Sequence, residues 1–381
     1  MQRTHFVLGA LGVTASLVLS LTGIGCGSDA NPDDATSAGA SGGGNQTGAQ
    51  PPGPPDGAGP GDGAGTVFAI KALYLGDTDR NGAKSPSAWK DYGFNLDGKI
   101  STETSTDLCA PRAGGKKTNA YPDGNNGIDN SFGKNVIGKI LAPLAPDTSK
   151  SVNDEIAQGS FTIMLDIDKL GAGANYNPLV TKLYGGASLE APPKFDGTDQ
   201  WPVLRELLSN ETDIESAKVQ FPKSYLTNNT WVSGTKAPIN LSLSVAGFTL
   251  QLTIGSAVIA MDINEGRTAA TKGIIAGVIE TEPFIEELKK VAGAFDPSLC
   301  TGTTVESIAT QLRQYSDIMA DGSAGDPGVE CDGISIGLGF DAAKVQLGAI
   351  APKAAPADDP CAATGGAGGS GPGAGGAGGA G

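Results

Sequence analysis

Apolar and polar residues alternate with a period of two over long stretches of this chain. Phe161, Ile163, Leu165 and Ile167 are separated by Thr162, Met164 and Asp166. Ile239, Leu241, Leu243 and Val245 alternate with Asn240, Ser242 and Ser244. Phe248, Leu250, Leu252 and Ile254 repeat the pattern after Ala246-Gly247, and Val258 to Ile263 continues it. Ile334, Ile336, Leu338 and Phe340 alternate with Ser335, Gly337 and Gly339. Successive side chains of a strand point to opposite faces, so this period predicts antiparallel strands with one buried face, broken at Gly247 and Gly255. A turn is expected at Asp341-Ala342-Ala343, before Val345 and Leu347. Shorter runs over 67–75, 180–184, 217–221, 231–232 and 273–279 add further strands. The pattern predicts a mainly β fold, an antiparallel β-sandwich of jelly-roll type with two or three short packed helices.

The helical signals are few. Thr281 is placed to cap a helix over 282–292, with Pro283 in the first turn and Phe284, Leu288 and Val291 on one face. Thr303-Thr304-Val305-Glu306 offers a capping box, followed by Val305, Ile308, Leu312 and Tyr315 at helical spacing. Residues 130–144 form a third candidate, ended by Pro143 and Pro146.

The ends of the chain follow different rules. Arg3 gives a short basic start, Phe6 to Gly25 is uncharged and apolar or small, and Cys26 closes the run. This is the layout of an export signal ending in a cysteine that receives lipid. Gly23-Ile24-Gly25-Cys26 resembles the bacterial lipobox at Gly25 and Cys26, and departs from it at Gly23, where the pattern prefers Leu. An uncleaved span and ordinary secretion are the competing readings; the glycines, serines and threonines of the run and the absence of a following cationic stop weigh against a span. Residues 1–25 are thus read as the signal. Residues 26–65 carry no large apolar side chain and are expected to be a free tether, reaching roughly 30–40 Å as a random coil. Residues 66–361 form the globular domain, and 362–381, built of Ala, Gly, Thr, Ser and Pro, a disordered tail.

Composition narrows the chemistry. The only histidine is His5, inside the signal, so the mature chain has no Ser-His-Asp or Cys-His catalysis and no His-ligated metal. Loss of Arg3 lowers the 26 Lys and Arg to 25, against 41 Asp and Glu, a formal charge of −16. Such a surface excludes nucleic acid as a natural partner and favours cations. Of the 5 cysteines, lipid on Cys26 leaves an even set: Cys109, Cys300, Cys331 and Cys361. An exported protein oxidises them. Cys300 and Cys331 bracket the second helix, so the expected pairs are Cys300 with Cys331 and Cys109 with Cys361.

Three runs have the look of calcium loops. Asp77-Thr78-Asp79-Arg80-Asn81-Gly82 alternates oxygen donors at Asp77, Asp79 and Asn81 and ends on a Gly that permits a sharp bend. Ala88 stands where an EF-hand needs its bidentate Glu, so only a looser loop survives. Asp123, Asn125 and Asp129 form a second run, and Asp97, in Asn95-Leu96-Asp97-Gly98, marks a third. The expectation is that the runs converge on one or two Ca2+ ions; the competing reading is that Asp, Asn and Gly are turn residues. Trp89, Trp201, Trp231, Tyr92, Tyr121, Tyr176 and Tyr225 are candidates for a sugar-stacking platform, each against a role in packing. Asp166, Asp168, Glu190 and Glu206 are unmarked candidates for the carboxylate pair of a glycosidase.

Gly-Phe-Asn-Leu-Asp-Gly at 93–98, Asn-Gly-Ile-Asp-Asn-Ser-Phe-Gly at 126–133 and Ile-Ser-Ile-Gly-Leu-Gly-Phe at 334–340 are similar to segments of uncharacterised bacterial surface lipoproteins. That resemblance implies an outer-membrane address and no activity. The expected function is a membrane-anchored, non-enzymatic module that binds a glycan or a protein partner or serves as envelope structure. A calcium-assisted carbohydrate-active enzyme using paired carboxylates is the alternative.

Overall fold

The computed structural model describes residues 48–245, 248–353 and 361. The expected signal, the lipid site at Cys26 and the tail over 362–381 lie outside them. The chain is mainly β, antiparallel, with a few short helices. Its strands are β1 (Thr66–Tyr74), β2 (Thr162–Asp168), β3 (Tyr176–Gly186), β4 (Gln200–Val203), β5 (Val219–Thr227), β6 (Thr230–Val232), β7 (Ala237–Val245), β8 (Phe248–Ile263), β9 (Ala269–Glu280) and β10 (Gly333–Ile350).

All belong to one 10-stranded sheet, where a jelly-roll divides its strands between two. The antiparallel pairings run β1–β2, β2–β3, β3–β5, β5–β6, β6–β8, β8–β9, β9–β10 and β10–β1. The circuit returns to its start, so the sheet closes into a barrel whose neighbours are neighbours in sequence. Closure leaves the strands of the ring itself without open edges. β4 bridges the end of β10 and β3 outside the ring, and β7 folds back on β8 as a hairpin.

Alternation sorts each strand between two cores. Phe68 and Ile70 of β1, Leu165 and Ile167 of β2, and Leu338 and Phe340 of β10 join the main cluster. Ala69, Met164, Tyr184 and Val345 point the other way, against Trp201 and Val203 of β4. A third cluster forms where Tyr92 and Phe94 of the long β1–β2 connection cover Ala260, Ile274 and Ala276.

The breaks expected at Gly255 and Asp341 do not end strands. β8 and β10 run through both places with bulges. At Asp341 the polar residue is absorbed: its carboxylate accepts from the Tyr74 hydroxyl at 2.9 Å and from the Lys272 N–H at 3.2 Å. A bulge lets a strand bend without losing its ladder.

The helices α1 (Thr148–Gln158), α2 (Thr281–Phe295) and α3 (Thr303–Gln314), with a wide π-helix over Phe132–Leu141, add Val136, Ile137, Val152, Ile156, Phe284 and Leu312 to the main core. Among the described residues no helix is long and apolar enough to cross a membrane.

Two disulfides form, with partners exchanged relative to the expectation: Cys109 with Cys331, and Cys300 with Cys361. Backbone pairing sets the first. Ala110 donates to the Val329 carbonyl at 2.7 Å and accepts from the Cys331 N–H at 2.9 Å, which lays 109–110 beside 329–331. Bracketing a helix says nothing about that ladder.

Residues 48–65 also depart from the expected tether. They lie along the domain through Ala49 N–H to the Asn126 carbonyl at 2.7 Å, Asn177 N–H to the Gly59 carbonyl at 2.8 Å, and Gly63 N–H to the Lys169 carbonyl at 3.0 Å. A segment without large apolar side chains holds here by backbone bonds and by glycines small enough for close approach. A Cβ on Gly61 would stand 2.4 Å from the Lys169 carbonyl oxygen.

Candidate functional site

The expected calcium residues separate into two places. Asp77, Asp79 and Asn81 belong to a tight turn after β1, closed by a bridge between Thr78 and Lys84. One Asp79 oxygen accepts the N–H groups of Asn81 at 2.8 Å and Ala83 at 2.9 Å, while Asp77 accepts from the Ser149 hydroxyl. The turn delivers Arg80. Its guanidinium lies over the rings of Tyr74 and Tyr92, 5.5 and 5.3 Å from their centroids. It donates to the carbonyls of Phe340 at 3.2 Å and Gly273 at 3.0 Å and pairs with Asp341 at 3.5 Å. The charge at this run is thus a guanidinium stacked on aromatic faces.

The other two runs do meet. Asp129 accepts from the Leu96 N–H at 2.7 Å, Asp97 from the Lys99 N–H at 2.7 Å, and Asp123 from the Ser101 N–H. Asn125 turns away to the Asp91 carboxylate at 2.6 Å. A fourth carboxylate, Asp317, joins them. It accepts from the N–H of Ser335 at 2.9 Å and from its hydroxyl. Sequence reading missed Asp317 because it stands in no Asp/Asn/Gly run and arrives from the far end of α3. Among the described residues, no three His, Cys, Asp or Glu side chains stand where they would hold a metal ion. Each carboxylate accepts loop amides, a role that Asp also plays in turns.

Burial and mutual repulsion govern their protonation. Burial, then the neighbouring carboxylates Asp97 and Asp317, pushes Asp123 up to about 7. Burial pushes Asp317 up to about 7, against the hydrogen bonds from Ser335 and the charge of Lys134. Asp129 is driven well above the usual carboxylate range by burial and by Asp97 and Asp123. Asp97 also rises, chiefly through burial. Lys134, buried beside Asp317, falls to about 8.

These shifts carry a sign. A carboxyl whose folded pKa lies above its unfolded value of about 4 binds more protons when folded, so stability falls as pH rises from about 4 to about 7. Lys134 is the reverse: stability rises with pH between about 8 and about 10.4. Exposed carboxylates held low by partners, Asp107 beside Lys99 and Asp147 beside Lys84, weaken the fold below pH ~4. The urea midpoint is therefore expected to be highest near pH 4–5 and to reach a low plateau between pH 7 and 8; toward pH 10 the gain from Lys134 is opposed by tyrosines that burial holds protonated, so no recovery is expected. Asp317→Asn should flatten the fall between pH 5 and 7. A midpoint that climbs from pH 5 to 7.5 would show that these carboxyls titrate normally.

The other candidates serve structure. All seven aromatic candidates are buried, none above 8% exposure, so no sugar-stacking platform forms from them. Their polar atoms are satisfied inside: Trp201 Nε1 reaches the Ala187 carbonyl at 2.7 Å, Trp231 Nε1 the Thr181 hydroxyl at 3.2 Å, and Tyr121 the Cys109 carbonyl at 2.9 Å. Asp168 and Glu215 share Lys182, at 3.1 and 2.7 Å. Asp166 rises to about 6 through burial, then repulsion from Asp168. Glu190 is exposed on a loop, and Glu206 is exposed on a short 3-10 helix over Arg205–Leu207.

No family model, curated protein or solved structure matches the chain.

A depression lies beside this cluster. It holds about 230 Å3 and is lined by Gln50, Pro51, Phe94, Asn95, Leu96, Asp97, Gly98, Lys236 and Val258. One wall, Gln50 and Pro51, belongs to the segment that precedes the barrel.

Proposed function

We propose that this protein is a lipid-anchored, extracytoplasmic envelope module without enzymatic activity, its barrel held to a membrane through lipid on Cys26. The observation that carries this reading is the pairing of Cys109 with Cys331 and Cys300 with Cys361. Of 5 cysteines, Cys26 alone is left over, at the end of an apolar run where a lipidation signal would put it. The resemblance to bacterial surface lipoproteins favours the outer membrane. The missing histidine and the use of the Asp97, Asp123, Asp129 and Asp317 oxygens as loop fasteners favour a structural or partner-binding role over hydrolysis.

The test is intact mass spectrometry of protein purified from membranes, with and without reduction. The expected result is loss of residues 1–25, a diacylglyceryl or triacyl mass on residue 26, and a gain of four hydrogens on reduction. Cys26→Ser should move the protein from the membrane fraction to the soluble fraction, because acyl chains contribute roughly 0.8 kcal/mol per buried CH2. An unmodified Cys26 in membrane-purified protein would overturn the reading.

A further inference from the structure

The loop over 119–126 runs past a row of lysines and ends where the leading segment meets the domain. The Asn119 side chain accepts from Lys139 Nζ at 3.0 Å, and the Pro122 carbonyl accepts from Lys134 Nζ at 2.8 Å. A Cβ on Gly124 would stand 2.7 Å from the Lys90 Cα. The Asn126 carbonyl accepts the Ala49 N–H at 2.7 Å, and the Ala49 carbonyl accepts the Asn95 N–H at 2.8 Å. Gly48 is wedged at the same place: a Cβ on it would stand 2.4 Å from Asn95 Nδ2 and 2.6 Å from the Asn126 carbonyl oxygen.

Aromatic rings and a wide helix order the row. Lys90 and Lys134 lie over Trp89, at 5.8 and 5.2 Å, and Lys139 lies over Tyr315 at 5.4 Å. Lys117, over Tyr121 at 5.1 Å, extends it. Lys134 and Lys139 stand five apart in the π-helix over Phe132–Leu141, whose hydrogen bonds span five residues, so both turn toward one side. In an α-helix they would point about 140° apart. Lys139 and Lys90 are close enough that their repulsion adds to burial in lowering Lys134, against the pull of Asp317 and Asp123. Among the described residues none of the four lysines is in an ion pair. Asp91, exposed beside Lys90, is taken by the Asn125 amide at 2.6 Å. A chain with 26 Lys and Arg against 41 Asp and Glu is repelled by a negative surface over most of its area; this row is where it is attracted.

We propose that the row of Lys90, Lys117, Lys134 and Lys139 is the face this protein turns to the membrane, where it meets the phosphates of anionic lipid headgroups. The proposal rests on the anchored reading for the nearness of that membrane. The place where the chain leaves the domain picks out this partner. Gly48 is fixed at one end of the row, and Cys26 stands 22 residues upstream of it. A Gly-rich coil of that length spans roughly 25 Å, against roughly 30–40 Å had all of 26–65 run free. Lipid on Cys26 therefore brings this end of the domain to the bilayer first. Headgroup phosphates then attract the lysines within a screening distance of about 8 Å at physiological salt.

The experiment uses the full chain with Cys26→Ser, so that acyl chains do not mask the weaker contact. It is sedimented at low salt with vesicles of phosphatidylcholine, with and without phosphatidylglycerol. Binding to the anionic vesicles alone is expected. It should fall about 100-fold in Lys90→Gln/Lys117→Gln/Lys139→Gln, at about fivefold per lysine. Lys134, half-buried, is left in place. Lys194→Gln/Lys218→Gln/Lys344→Gln removes the same charge from three exposed positions near β4 and should leave binding unchanged. Equal losses in both triple variants, or none in the first, would overturn the proposal. In a second arm, the membrane-purified chain on the same vesicles is treated with an amine-acylating reagent. Lys90, Lys117 and Lys139 should react about fivefold more slowly on the anionic vesicles, and Lys344 at the same rate on both. Equal protection by inorganic phosphate without anionic lipid would make the row a site for a free anion and overturn the membrane face. The same samples are weighed intact. Lipid on Cys26 with no protection of the row rejects the face and keeps the anchor. Bare Cys26 with sedimentation that depends on the row rejects the anchor and keeps the face.

Discussion

Asn130→Ala is expected to lower the free energy of unfolding by about 4 kcal/mol or more. The side chain is a knot between parts of the molecule distant in sequence. Its Nδ2 donates toward the carbonyls of Trp89 at 3.2 Å, Tyr92 at 2.9 Å and Gly337 at 2.9 Å. Its Oδ1 accepts the N–H groups of Gly133 at 2.9 Å and Gly337 at 3.0 Å. Asn130 is 2% exposed, so water cannot replace these bonds in the substituted protein. Each buried group left without a partner costs about 1–3 kcal/mol, and the five losses do not simply add. The same knot explains Gly337 on β10: a Cβ there would stand 2.1 Å from the Tyr92 carbonyl oxygen. Urea unfolding with the disulfides intact measures the effect; a loss under 1 kcal/mol would mean that the loop over 88–95 separates from β10 without unfolding the barrel.

Removing the disulfides one at a time should give the second large effect, and an unequal one. Cys109–Cys331 spans 222 residues and Cys300–Cys361 spans 61. Chain-entropy reasoning assigns about 5 kcal/mol to the longer loop and about 4 kcal/mol to the shorter. The environments widen the gap. Cys109 and Cys331 are fully buried beside a backbone ladder, so paired serines there leave buried hydroxyls. Cys361 is only half-buried. The Cys109→Ser/Cys331→Ser protein should therefore unfold at lower urea than Cys300→Ser/Cys361→Ser. The opposite order would place the main constraint on the helical pair α2 and α3.

The helices show where local signals sufficed. α2 and α3 form close to the predicted places, but the predicted caps do not: Glu280 and Gly302 stand at the cap positions with no side-chain cap bond, Thr281 and Thr303 are each the first residue inside the helix, and the buried Thr281 hydroxyl pairs with that of Ser316 at 2.7 Å. α1 was not foreseen, because its sequence, TSKSVNDEIAQ, buries only Thr148, Ser149, Val152 and Ile156. Val152 and Ile156 at i, i+4 and the left-handed Gly159 that ends it were the available signals. β4 was missed for a related reason: four residues are too few to show a period.

The candidate site was legible in fragments. Three Asp/Asn/Gly runs stood out in the sequence, and two of them meet. Nothing local told that the first run would lay Arg80 over the stacked rings of Tyr74 and Tyr92, or that Asp317 would join from the far end of the chain.

The sequence by itself determined the buried face of the long alternating strands, the β-rich class, the absence of any histidine after His5, and an odd number of cysteines. Side-chain direction follows from the backbone every two residues, so it is written locally. The tertiary structure alone decided that β10 returns to β1 and closes the sheet, that Cys109 meets Cys331, that the aromatic candidates are all buried, and that residues 48–65 grip the barrel. Each of these is a contact between segments far apart in the chain. Alternation states only that a face is buried; what covers it is settled when the folded chain has satisfied its backbone groups and filled its core together.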